Sequence, residues 1–219
     1  MVLTMPTTDD PMRFVAAHEA GRAFTLILAH RALGRDYASF HRVFIRRDFS
    51  SPYIDGKNRE VDDCSGMCEG PDLYVPRIGL MIFFQELEAR PELRLEMLAK
   101  MEWAILASLA GPFAEAAARG VHSKARMYLK ARFCGGEADF EAAKTILLDY
   151  ERASKRRRST LDFEDRTREV VLRSRPAIDA LANTLLVKET LNYDEAYAVV
   201  EPFLEPSLDA NSAPPTSQF

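Results

Sequence analysis

From Leu93 to about Ala118, apolar side chains recur three and four residues apart, at Leu95, Leu98, Met101, Ala104, Ile105, Leu109 and Ala110. That spacing puts them on one face of a helix, and a stripe this long must be buried against other elements. The chain is thereby held to a helical core. Pro112, directly after Gly111, predicts a kink or a junction of two helices inside the stripe. With 219 residues and 47% apolar content, there is material to bury such a core in one domain or two closely packed ones.

The same periodicity recurs elsewhere. Arg13 to about Arg31 reads as a helix with Phe14, His18, Gly21, Arg22, Thr25 and Leu28 near one face, stopped at Gly34. Further helices are predicted from Ile78 to Ala89, from Ala138 to about Tyr150, and from Leu161 to Val187 with a bend at Pro176. Asn192 followed by Glu195 has capping-box form and starts a last short helix to about Val200. The stretch from 35 to 77 is polar and rich in Gly and Pro. Within it, Arg42–Arg46 and Leu73–Val75 read as short strands. The fold class expected is mostly α with a small β element. Residues 1–12 read as a flexible lead-in, 13–204 as the folded domain, and 205–219 as a disordered tail. Inside the domain, about 13–150 forms one part and about 160–204 the C-terminal helices.

Charge and cysteine usage narrow the class of function. There are 29 basic and 33 acidic residues, a formal net charge of −4. Lys155-Arg156-Arg157-Arg158 is a short cluster without interleaved aromatics, read as a solvated connector rather than a nucleic-acid patch. No apolar run approaches the roughly 20 residues that span a bilayer, and the N-terminus has no signal-peptide pattern. Three cysteines are an odd number in a chain too large to depend on disulfides. The expectation is a cytoplasmic protein with no membrane span and no nucleic-acid partner.

The stretch Ala17-His18-Glu19-Ala20-Gly21-Arg22-Ala23 carries the chemistry. In the zinc peptidase helix H-E-x-x-H, two histidines one turn apart hold the metal, and the intervening glutamate activates its water. His18 and Glu19 fill the first two positions, and Arg22 stands at the second histidine. A guanidinium has no lone pair to donate.

This string resembles the H-E-A-G-H-A helix of the FtsH-type AAA+ membrane protease family, in its peptidase domain. Three further segments resemble that domain in the same order: Phe40–Arg47 its V-x-K-V-T-I-x-P-R strand, Ile105–Glu115 its L-L-A-G-R-A-A-E helix, and Gly136–Ala143 its G-x-x-N-D-L-x-x-A segment. Leu181–Leu191 is similar to the L-A-x-x-L-L-x-K-E-T-L of its last helix pair. The resemblance covers roughly 13–201.

It implies His18 and Asp139 as zinc-ligand positions, Glu19 as general base, and Leu73-Tyr74-Val75 as an edge strand that pairs with substrate peptide. With Arg22 in the remaining ligand position, the expectation is a metal-free, catalytically silent relative whose guanidinium pairs with Asp139 or Glu19. Such a relative would bind unfolded peptide or protein, as a ring-like homo-oligomer or beside a separate AAA+ partner. No G-x-x-x-x-G-K-[ST] occurs, so no ATP site is expected in this chain. The alternative expectation is an active, ATP-independent zinc metalloendopeptidase with a substitute ligand. Cys134 is first among the candidates, followed by His30, His41 and His122. Cys64 and Cys68 have C-x3-C spacing without a second pair, which favours a loop with two free thiols over a structural zinc.

Overall fold

The structure, a computed structural model, describes residues 12–34, 40–48, 52–54, 60–61, 64–70, 73–74, 81–133 and 136–204. The long apolar stripe does become a single central helix. In chain order the elements are α1 (Met12–Leu33), β1 (Arg42–Ile45), β2 (Tyr53–Ile54), β3 (Glu60–Val61), β4 (Gly66–Glu69), α2 (Met81–Ala89), α3 (Pro91–Ala118) and α4 (Lys124–Phe133). They continue with α5 (Glu137–Ser154), α6 (Thr160–Arg173), α7 (Arg175–Lys188), β5 (Thr190–Asn192), α8 (Tyr193–Val200) and a 3-10 turn, Glu201–Phe203.

Helix α3 is the hub, packing against α1, α4, α5 and α6. Its run from Leu109 to Ala114 is wholly buried. The helix passes through Pro112 without interruption, contrary to the junction allowed for above. An interior proline costs a helix roughly 3 kcal/mol, and burial of side chains such as Leu109 and Phe113 is of a size to offset it. At Pro176 the outcome is the reverse. The predicted single helix is two, α6 and α7, divided at Ser174, with Pro176 in the first turn of α7 where its missing N–H costs nothing.

The α1–α3 crossing depends on small residues. A Cβ added at Gly21 would stand 2.6 Å from Ala114 Cβ and 2.7 Å from the Ala110 carbonyl oxygen. Gly34 ends α1 at φ 95°, and its N–H reaches the His30 carbonyl at 3.1 Å.

The small sheet has order β4-β1-β5, antiparallel throughout. Val43 is the common centre, opposite Cys68 on one side and Leu191 on the other. Tyr53–Ile54 and Glu60–Val61 form a separate two-stranded ribbon. Two corrections follow. Leu73 and Tyr74 are not in a strand; Val75 lies outside the described residues. The outer strands of the sheet are instead β4 and β5, so Cys68 sits in a strand rather than a loop. Cys64 and Cys68 are both free thiols. Helix α4 also goes unread in the sequence, because only Met127 and Ala131 of its ten residues are buried and no apolar stripe marks it.

Asn192 caps α8 as its spacing predicts. Its side chain accepts the Glu195 N–H, and Glu195 accepts the Asn192 N–H in return. One continuous core runs from Met12 to Val200. No helix of the described residues is long and apolar enough to cross a membrane.

Candidate functional site

His18 and Glu19 are neighbours on α1 and Arg22 is one turn further on, where the helix packs against α3 and β4. Asp139 comes from the first turn of α5. The close α1–α3 approach gives His18 its place: a Cβ at Gly111 would overlap the imidazole ring. His18 Nε2 faces Asp139 Oδ2 at 3.3 Å, and Nδ1 faces Glu115 Oε2 at 3.5 Å. Arg22 Nη1 reaches the other Asp139 oxygen, Oδ1, at 3.4 Å. Glu115 is in turn held by Arg119, whose Nη2 donates at 2.7 Å and Nε at 2.9 Å.

Burial opposes charge on His18, but hydrogen bonds to Asp139 and Glu115, helped by the nearby Glu19, outweigh it. Its pKa is raised to about 9. Burial works against the Glu115 carboxylate as well, yet the bonds from His18 and Arg119 carry its pKa below the ordinary value. The site is therefore an ion cluster in which one carboxylate, Asp139, bridges an imidazolium and a guanidinium.

Glu19 adjoins that cluster and interacts electrostatically with His18, Arg22 and Asp139. It is 5% exposed, lies under β4, and accepts the backbone N–H of Cys68. Its Oε2 is buried with no hydrogen-bond partner among the described residues. Burial pushes the Glu19 carboxyl up, against the pull of His18 and Arg22. Burial likewise pushes up the Cys68 thiol, so it is an unreactive one at neutral pH.

The donor set can be compared with what zinc requires. Two donors each about 2.1 Å from a tetrahedral zinc stand about 3.4 Å apart. His18 Nε2 and Asp139 Oδ2 have that separation. Among the described residues no third donor joins them, and Arg22 brings a cation to the same carboxylate. Glu115 meets the opposite ring nitrogen of His18 and so does not complete the set. Among the described residues, no group of three or more His, Cys, Asp and Glu side chains is placed to hold a metal ion. The described residues alone supply two of the three protein donors that a catalytic zinc takes.

The other candidates separate from this point. Cys134 lies outside the described residues. His30 packs edge-on against Tyr193, with ring centroids 5.2 Å apart, while His41 and His122 are exposed. Leu73 and Tyr74 do come close to the site, lining with Arg22 and Cys68 a cavity of about 350 Å³. Tyr74 is fixed there by its hydroxyl, which donates to Asp149 at 2.9 Å. Lys155, first of the basic cluster, pairs with Glu88 at 2.8 Å.

Sequence reasoning missed two participants, Glu115 and Arg119. Their signal was available: an i,i+4 carboxylate–guanidinium pair one turn beyond Gly111 on the central helix. No known family model matches the chain, and no curated protein matches it.

Proposed function

We propose that this chain is an FtsH-type metallopeptidase-like domain that has lost its zinc and its catalysis, and that acts by binding unfolded peptide or protein. The observation that carries this reading is the bridge from Asp139 to both His18 and Arg22. The guanidinium compensates the carboxylate that zinc would otherwise neutralise, and it repels a divalent ion approaching the same oxygens. Peptide capture draws its support from the cavity beside Arg22, whose walls include Leu73 and Tyr74.

A labelled, unfolded casein separates binding from cleavage. The expected result is saturable binding with no fragments after prolonged incubation. Fragments that a chelator and Glu19→Gln both abolish would overturn the proposal and favour the zinc peptidase reading.

A further inference from the structure

Helix α4 is apolar on two opposite sides. Met127 and Ala131 are its buried residues. The residues two positions on from each, Leu129 and Phe133, come about 200° further round the helix. Leu129 is 60% exposed and Phe133 66%. They stand one turn apart on the outward face, with Ala125, also exposed, one turn before them. The inward side packs on α3 and α5, and Lys124, Tyr128 and Arg132 reach across to α6. No described element covers the outward side.

Positive charge borders the apolar pair. Arg126, exposed, and Lys130, partly buried, stand one turn apart on one flank, and neither enters an ion pair among the described residues. On the other flank Arg132 pairs with Glu164 at 3.1 Å but keeps 48% of its side chain exposed. The ten residues of α4 include no acidic one. Cations without counter-charges around exposed apolar side chains fit an occupant that is both anionic and apolar. Two side chains projecting from a surface helix suit a layer that closes around them, rather than the preformed groove of a second protein.

We infer that the outer face of α4 binds an anionic lipid surface, with Leu129 and Phe133 entering the headgroup–acyl boundary and Arg126, Lys130 and Arg132 against the headgroups. A helix placed in this way lies on a membrane without spanning it. Each basic residue near an anionic surface strengthens binding about fivefold, and the apolar pair adds affinity in proportion to the area it removes from water. Two apolar side chains and three cations give a reversible attachment rather than a permanent anchor. The inference rests on α4, which contributes no residue to the His18–Asp139–Arg22 cluster, and its test uses neither metal nor casein. Its failure is thus separable from that of the proposed function.

The test is co-sedimentation of the full chain with vesicles of phosphatidylcholine alone and of phosphatidylcholine with phosphatidylserine. Binding to the anionic vesicles is expected to be saturable, at least tenfold tighter, and loosened by salt. Leu129→Ser with Phe133→Ser is expected to weaken it at least tenfold, and Arg126→Glu with Lys130→Glu to remove the preference for phosphatidylserine, both with the fold intact by circular dichroism. Two controls locate the effect: Leu95→Ser, at a leucine 65% exposed on α3, and Arg156→Glu with Arg157→Glu in the basic connector. Each is expected to change binding far less. Absent vesicle binding, equal affinity for the two compositions, or a loss in either control as large as in the α4 variants would overturn the inference. So would self-association abolished by Phe133→Ser, which assigns the face to a second copy, or tighter binding to polyuridylate than to vesicles, which assigns it to nucleic acid. The comparison of vesicle compositions needs no variant, so it decides even if the variants fail to fold.

Discussion

Arg22 changes what its neighbours do. In a zinc helix His18 would be neutral, because a metal needs its lone pair. Beside Asp139 and Glu115 it is instead held as a cation, with a pKa raised to about 9 from an ordinary 6.5. The sign of the linkage follows. A group with a raised folded-state pKa adds stability that is complete below its unfolded value and lost as pH rises through the folded one. Urea unfolding is therefore expected to show stability falling between about pH 6.5 and 9. The groups facing His18 in that window are Asp139, Glu115 and Glu19. Asp139→Asn removes a partner of both His18 and Arg22, and is expected to cost about 1–3 kcal/mol at pH 6, with a flatter profile above it. A profile unchanged by Asp139→Asn would contradict the bridge.

At the scale of elements, the α1–α3 crossing positions the site. Gly21 faces Ala110 and Ala114 with no room for a methyl. Gly21→Ala is expected to destabilise the fold by about 1–3 kcal/mol, read by chemical denaturation. A neutral result would mean that the helices lie further apart. At the other end of the chain, the α8 capping box is reciprocal. Asn192→Ala is expected to cost about 1 kcal/mol, measured in the same way.

These two devices differ in how visible they were. The capping box is local, and Asn192 with Glu195 announces it. The crossing joins residues about ninety positions apart, and Gly21 by itself says only that a helix contains a glycine. The strands divide similarly: β1 shows in its alternation, while β4, a Gly-Met-Cys-Glu segment, gains its conformation from pairing with β1. Helix α4 escaped because burying two side chains leaves no periodic trace.

Across the whole molecule, the helical class was legible because buried stripes repeat along the chain, and one core joins them from Met12 to Val200. The site was legible in part. His18, Arg22 and Asp139 do converge, as the motif positions imply, because α1 and α5 both pack on α3. The roles of Glu115 and Arg119 were not, since they depend on which face of α3 meets α1. Nor was the burial of Glu19, which depends on β4 crossing above it. Both are properties of the assembled fold.

The central claim is that a guanidinium stands where a metal ligand would be. Zinc content after purification without chelators and exhaustive dialysis tests it directly, with Arg22→His measured alongside. The expected result is background zinc in the wild-type chain and zinc uptake by Arg22→His, which restores the second histidine. Near-stoichiometric zinc retained by the wild-type protein would contradict the account.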